Sequence, residues 1–105
     1  MAQQETWLRV VIYKSESDND AEAAAYLKSS TKKTLGMLEK QPGFKLGYWG
    51  HNPVAHEMSA VTYWDSLDAI KMANSLFEEL HRERKEHGIA VASARNIRLF
   101  AIPVG

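Results

Sequence analysis

Hydrophobic and polar positions follow two different periods along the chain, and each change of period marks a new element. Residues 6–13 are rich in β-branched and aromatic side chains, which is typical of a strand. Alternation separates the side chains of this first strand into two faces, with Trp7, Arg9, Val11 and Tyr13 on one and Leu8, Val10 and Ile12 on the other. Both faces are largely apolar, so the strand is expected to be covered on both sides.

A helical period begins at about Asn19 or Asp20 and continues to Lys40. Small or apolar side chains at steps of three and four residues predict its buried face: Ala24, Leu27, Thr31, Leu35 and Leu38. Pro42 and Gly43 predict the end of this helix.

A hairpin is predicted next, from strands over residues 44–50 and 58–64 joined by a turn at residues 51–53. Alternation in the first of these strands separates Phe44, Leu46 and Tyr48 from Lys45, Gly47 and Trp49.

The second half of the chain predicts a helix and a last strand. Asp65 or Ser66 can cap the helix, which is expected to run through Asn74, break near Ser75 and resume over residues 76–87. Gly88 predicts its end, and the last strand falls within residues 90–104, most clearly over 96–102.

The order of elements, β-α-β-β-α-β, is that of the split βαβ plan within one domain, residues 1–105. The sequence therefore predicts an α+β, ferredoxin-like fold in which a four-stranded antiparallel sheet carries two helices on one face. One layer of helices cannot cover both apolar faces of such a sheet. We therefore expect a homodimer that packs sheet against sheet into an α+β barrel.

Composition narrows the function classes. Thirteen basic residues balance thirteen acidic ones, so no net charge favours nucleic acid or an anionic membrane. The absence of cysteine excludes disulfides, thiolate metal sites and cysteine nucleophiles. The N-terminus shows no secretory pattern and no apolar run reaches membrane-spanning length, so a cytoplasmic protein is expected.

Two local motifs resemble the dimeric α+β barrel proteins of the antibiotic-biosynthesis-monooxygenase (ABM) type. The first is Pro42-Gly43-Phe44 followed by Gly47, and the second is the strand-to-helix junction of residues 63–70, with Trp64, Asp65 and Ser66. This family includes cofactor-independent monooxygenases of aromatic polyketides, haem-degrading enzymes and small proteins of unknown role. The resemblance implies a ligand pocket between the helices and the sheet.

The resemblance to the polyketide oxygenases implies a site for an aromatic or quinol-like ligand and no cofactor. Such an enzyme must deprotonate its substrate and stabilise the resulting anion, because the substrate itself activates oxygen. Six residues are expected to bind the substrate: Trp64, Arg9, Tyr13, Trp7, Phe77 and Asn74. The resembled oxygenases carry an asparagine where this chain has Ala60, and no catalytic residue can be assigned.

Arg9 is the charged exception on an apolar strand face, and a buried charge requires a partner. It could hold a carboxylate or phenolate of a ligand, or it could form a salt bridge within or between subunits.

The resembled haem-degrading enzymes suggest haem as the alternative cofactor, with His81 as the axial ligand four residues after Phe77. Those enzymes also use an asparagine in the first strand and a tryptophan in the second helix. This chain has neither at the corresponding places, and Asn74 is the nearest polar substitute. His81 could equally be an ordinary surface histidine.

No metal site is expected, since His51 and His56 lie in a turn without a ligand spacing. Three hypotheses therefore stand: a cofactor-independent monooxygenase, a haem-binding or haem-degrading protein, and a non-catalytic dimer that binds a small ligand.

Overall fold

The computed structural model describes residues 6–15 and 20–99 and has the predicted order of elements. The elements are β1 (Thr6–Ser15), α1 (Asp20–Glu39), β2 (Phe44–Asn52), β3 (Glu57–Trp64), α2 (Leu67–Met72), α3 (Asn74–Glu86) and β4 (Ile89–Leu99). The strands form one antiparallel sheet in the order β2-β3-β1-β4, so the two central strands are β3 and β1. The ferredoxin-like α+β prediction is confirmed.

The second predicted helix is two helices, α2 and α3, which meet at Ala73. The predicted break near Ser75 was therefore two residues too late. Ser66 is the N-cap of α2, because its hydroxyl accepts a hydrogen bond from the amide of Ala69 at 3.0 Å. At the other end of α2, the Ala73 amide donates to the carbonyls of Ala69 and Ile70. Ala73 is both the C-cap of α2 and the N-cap of α3, so the second helix follows directly.

A bulge at Lys45 changes which residues of β2 face the helices. Phe44 pairs with Trp64 and Leu46 pairs with Tyr63, so one residue of β2 has no partner in β3. Phe44 consequently packs against the core on the same face as Trp49, whereas the simple alternation predicted opposite faces. The last strand also differs from its prediction, since it begins at Ile89, directly after Gly88. Residues 100–102, which were expected to complete it, lie outside the described residues.

The junction between α1 and β2 depends on Gly43. Its φ of +84° is a left-handed conformation that favours glycine, and its carbonyl accepts a hydrogen bond of 2.9 Å from the amide of Asp65. This bond joins the end of α1 to the end of β3. The two motifs that carry the family resemblance are therefore in direct contact, next to Trp64 at the end of β3.

The core consists of two apolar clusters on the helix-facing side of the sheet. The first contains Val11, Tyr13, Ala23, Leu27, Met58, Ala60 and Ile89. The second contains Leu38, Trp64, Ala69, Ile70, Ala73 and Phe77. The buried face of α1 is Ala23, Leu27, Thr34 and Leu38. Of the predicted face only Leu27 and Leu38 are buried, whereas Ala24, Thr31 and Leu35 are half-buried.

The opposite face of the sheet carries exposed apolar side chains. Leu46, Tyr48, Ile97 and Leu99 are exposed to 42%, 64%, 44% and 40%. Leu8, Val10 and Ile12 of the central strand β1 lie between them and are only partly buried. Across the described ranges, none of the helices has the length and apolar character required to cross a membrane.

Candidate functional site

A polar layer separates the two apolar clusters, and a cavity of about 20 Å³ lies within it. Members of both clusters line the cavity, among them Val11, Ala60 and Phe77, so it lies between them. The polar or ionisable side chains around it are Arg9, Tyr13, Thr34, Trp49, Thr62, His81 and Arg84. Among the described residues, no carboxylate lines the cavity.

Arg9 reaches the cavity from the helix-facing side of β1. Its guanidinium carbon lies 4.2 Å from the centroid of the Phe77 ring, a distance at which a cation is attracted to the face of an aromatic ring. Its Nε is buried and has no hydrogen-bond partner among the described residues. Burial lowers the pKa of Arg9, and Tyr13 acts weakly in the opposite direction. A guanidinium nevertheless stays protonated at neutral pH.

Arg84 enters the same cavity from the last turn of α3 and is 4% exposed. One of its terminal nitrogens, Nη2, donates a hydrogen bond of 3.3 Å to the hydroxyl of Thr34, and its guanidinium carbon lies 5.4 Å from the Tyr13 ring centroid. Its Nε, like that of Arg9, is buried without a partner among the described residues. Two cations thus share a cavity to which the described part of the chain contributes no carboxylate.

His81 and Tyr13 form the remaining titratable pair of the cavity. Their ring centroids lie 5.8 Å apart in an edge-to-face arrangement. Burial, together with the charges of Arg9 and Arg84, lowers the pKa of His81 to about 4, so its imidazole is neutral at pH 7. Burial raises the pKa of the Tyr13 hydroxyl, although the two arginines oppose this effect. At neutral pH the site therefore holds two cations, a neutral base and a neutral phenol.

Three buried N–H donors around the cavity lack an acceptor within the described part of the chain: Arg9 Nε, Arg84 Nε and Trp49 Nε1. A buried donor without an acceptor costs about 1–3 kcal/mol, and more if it is charged. A space of at least roughly 10–15 Å³ is enough for one water molecule. The cavity can therefore place one oxygen atom among these donors, and an anionic oxygen would suit them best.

Trp64 does not line the cavity, but it packs against Phe77, which does. It is fully buried, and its indole N–H donates a hydrogen bond of 2.9 Å to the Thr62 hydroxyl. Its ring meets Phe44 and Phe77 edge to face, at centroid distances of 5.3 and 5.7 Å. In this arrangement Trp64 holds Phe77, which in turn lies under the Arg9 guanidinium.

The other predicted site residues divide clearly. Tyr13, Phe77, Arg9 and His81 line one cavity, whereas Trp7 packs against the second cluster outside it. Asn74 is exposed on α3 and donates a hydrogen bond of 3.0 Å to Glu78, so it lies away from the cavity. Within the described ranges no group of three His, Asp or Glu side chains could hold a metal ion.

The sequence-based reasoning overlooked Arg84, Trp49 and Thr34. Arg84 was hidden in the charged run of α3, although Phe77, Leu80 and Arg84 follow helical spacing and so share one face. Trp49 was placed on the face opposite Phe44 and given no role; it pairs with Ala60 on the cavity side, and the bulge at Lys45 brings Phe44 to that same face.

The residues around His81 do not suit haem. The cavity of about 20 Å³ has no room for a porphyrin, since ligand pockets are usually about 300–1,000 Å³. The open groove on the other side of His81, between α3 and β4, is larger, about 440 Å³, and brings Arg82 and Lys85 close to it. The charges of Arg9 and Arg84, which help to lower the pKa of His81, would also weaken the binding of ferric iron to its imidazole.

Comparison with solved structures places the fold. No protein-family profile matches the chain, and no curated protein is similar to it in sequence. The monooxygenase from the gene ActVA-Orf6 of Streptomyces coelicolor, solved in complex with the ligand nanaomycin D, has a TM-score of 0.69 at 13% identity over 95% of this chain and 90% of that one. SnoaB from Streptomyces nogalater, a cofactor-independent oxygenase, has a TM-score of 0.62 at 15% identity, covering 95% and 96% of the two chains. MupZ from Pseudomonas fluorescens has a TM-score of 0.69 at 11% identity, covering 91% and 70%. The chain thus has the fold of the ABM proteins.

Proposed function

We propose that this protein, which has the fold of the ABM proteins, is a cofactor-independent monooxygenase of an aromatic or quinol-like compound that can form an enolate or phenolate. The observation that carries the proposal is the cavity in which Arg9 and Arg84 face a neutral His81, with no carboxylate among its described lining residues. Such a cavity favours the anionic form of a ligand, and an electron-rich anion is the species that reacts with oxygen directly.

Arg9 and Arg84 are assigned to stabilise the substrate oxyanion. Their two unpartnered Nε–H groups supply donors that are already in place, and preorganised donors stabilise developing charge more effectively than water does. The terminal nitrogen of Arg84 stays on Thr34, which fixes the guanidinium while its Nε remains available. This role replaces the asparagine of the resembled oxygenases, since Ala60 lines the cavity and offers no polar group.

His81 is assigned as the proton acceptor. Its imidazole is neutral because burial and the two guanidiniums oppose its protonation. An oxyanion bound between the arginines would offset their charge, so the pKa of His81 would rise towards its ordinary value as the substrate ionises. Proton transfer from substrate to His81 and charge pairing with the arginines therefore favour each other.

The oxygen step then balances without a cofactor. For a substrate with an activated CH₂ group, loss of a proton to His81 gives a carbanion in resonance with an enolate, which adds to O₂ to form a peroxide anion. The proton returns from His81 to give a hydroperoxide. Loss of water from this species leaves a carbonyl group that keeps one oxygen atom, and the other oxygen atom leaves as water.

Oxygen consumption with anthrone as the probe tests the proposal. The wild-type protein should accelerate oxygen uptake and incorporate one labelled atom from ¹⁸O₂ into anthraquinone, whereas Arg84→Met should lower the rate at least tenfold. Arg82→Met, a neighbouring exposed arginine, is the matched control and should retain the wild-type rate. Equal rates for wild type and Arg84→Met would overturn the assignment. Binding of anthraquinone without oxygen uptake would instead favour the non-catalytic binding protein.

The proposal includes a homodimer formed through the outer sheet face. Leu46, Tyr48, Ile97 and Leu99 are exposed there around the partly buried strand β1. Monomeric proteins rarely expose a large contiguous apolar surface, and a second copy of the same sheet would cover it. The candidate cavity lies on the other side of the sheet, so each subunit would keep its own site.

A further inference from the structure

A second and larger concavity lies beside the candidate site, between α1 and the edge strand β2. This groove, which we call the α1–β2 groove, has a volume of about 630 Å³. Small residues contribute to both of its walls, Ala24 and Ala25 on α1 and Gly47 and Gly50 on β2, beside larger side chains such as Lys28 and Tyr48. Its volume lies within the usual range of ligand pockets, about 300–1,000 Å³, so it has room for a ligand with several rings.

Of the residues that the structure describes, Trp49 alone lines both the α1–β2 groove and the cavity of Arg9 and Arg84. Its ring lies over Gly47, where a Cβ would come within 2.9 Å of the indole Cη2 and 3.2 Å of Cζ3. Glycine at this position therefore lets the indole lie against the strand. The ring also packs against both apolar clusters, so it separates the groove from the polar layer.

The two spaces are complementary in what they lack. The cavity holds the cations but, at about 20 Å³, has room for one oxygen atom of an anionic group and none for a ring. The α1–β2 groove has room for aromatic rings, yet neither arginine lines it. A ligand that uses both must pass its polar end beside Trp49, whose Nε1–H lacks an acceptor among the described residues.

We propose that Trp49 is a specificity-determining residue between these two spaces. The ring system of the ligand lies in the α1–β2 groove, and its oxyanion end passes Trp49 to reach Arg9 and Arg84. The ligand class is a planar compound of two or more fused aromatic rings with one ionised oxygen group at its end. This inference rests on the anion-binding role given to the cavity, and it adds the place of the rings and the residue that selects their size.

Binding measurements that need no oxygen chemistry test this inference, with formate as a ring-free anion and 2-naphthoate as a two-ring anion. The wild-type protein should bind 2-naphthoate at least tenfold more tightly than formate in calorimetric titrations. Ala25→Leu fills the groove from an exposed helix position, so it should weaken 2-naphthoate binding at least tenfold and leave formate unchanged. Unchanged 2-naphthoate binding in Ala25→Leu would overturn the placement of the ring system in the α1–β2 groove. Failure of the wild type to bind formate would instead overturn the anion-binding role of the cavity.

The role of Trp49 itself has a separate readout, the ratio of affinities for anthracene-2-carboxylate and 2-naphthoate. Trp49→Ala joins the two spaces, so this ratio should rise at least tenfold over wild type. Should Trp49→Ala fail to fold by circular dichroism, Trp49→Phe should raise the same ratio by a smaller factor of at least two. An unchanged ratio in the folded variant would overturn the selective role of Trp49.

Discussion

Replacing Gly43 by alanine should destabilise the protein for two separate physical reasons. The φ of +84° at this residue is a conformation that alanine adopts with difficulty. An added Cβ would also lie 2.5 Å from Asp65 Oδ1 and 2.6 Å from Ala69 Cβ, which is closer than atoms can pack. The Asp65 carboxylate can rotate away from the added methyl group, but the Ala69 Cβ is fixed to the backbone of α2, so this contact can be relieved only by moving the helix or the turn.

The expected magnitude follows from these two contributions. A left-handed conformation costs an ordinary L-residue about 1–2 kcal/mol, and forcing an extra methyl group into a packed site costs about 1–3 kcal/mol. Gly43→Ala should therefore lower the free energy of unfolding by about 2–5 kcal/mol. For a domain of this size each kcal/mol corresponds to a decrease of about 4–8 °C in Tm.

Two other glycines separate the contributions. Gly88 has a φ of +74° but an added Cβ would meet nothing within 4 Å, so Gly88→Ala should show the conformational cost alone, about 1–2 kcal/mol. Gly36 lies in α1 with open space around it, so Gly36→Ala should stabilise the protein by about 0.5–1 kcal/mol. Urea denaturation should rank the four proteins, from the highest to the lowest free energy of unfolding, as Gly36→Ala, wild type, Gly88→Ala and Gly43→Ala. Equal stability of the last two would refute the reasoning about the contact with Asp65 and Ala69.

The other predictions concern the polar layer and the outer sheet face. Arg9→Met should leave the free energy of unfolding unchanged or raise it by about 1–2 kcal/mol, because methionine fills the space without a buried charge. Urea denaturation measures this change, and a loss above about 1 kcal/mol would contradict the prediction. The folded pKa of His81, about 4, lies below its ordinary 6.5, so its contribution to stability is complete above pH 6.5 and is lost as pH falls towards 4. His81→Gln should therefore lose less stability than wild type between pH 7 and pH 4.5, and equal losses would argue against a buried neutral imidazole. In light scattering the wild-type protein should have the mass of two chains, and Ile12→Asp should abolish this dimer or aggregate. A stable wild-type monomer at micromolar concentration would exclude the dimer.

The fold was largely predictable because periodicity reports directly on which side chains are buried. Three local patterns are retained in the structure: the strand face of Arg9, Val11 and Tyr13, the capping role of Ser66, and the end of α1 ahead of Pro42 and Gly43. Errors arose where a single residue shifts the register. The bulge at Lys45 is such a case, since one extra residue reverses the facing of Phe44 without any distinctive sequence signal.

The candidate site was predictable only in part, because it is assembled from residues far apart in the chain. Arg9 stood out as a charge among apolar neighbours on a strand. Arg84 did not, because its neighbours on α3 are themselves charged and only its spacing from Phe77 and Leu80 indicates the buried face. Thr34 gives even less signal, since its part in the site is to accept a hydrogen bond from an arginine fifty residues away in sequence.

The polar layer between the two apolar clusters also bears on how this chain can diverge from its structural neighbours. Each cluster packs around its own large side chains, Leu27 and Met58 in one and Leu38 and Trp64 in the other. Substitutions at separate sites without shared partners have nearly additive effects on stability. The side chains of the layer that belong to neither cluster, such as Thr34, His81 and Arg84, can therefore be exchanged with less loss of packing than Tyr13 or Trp49, which pack in the clusters themselves. Such a core lets the reactive groups vary while the scaffold persists. This agrees with a fold that this chain shares with three solved structures at only 11–15% sequence identity to it.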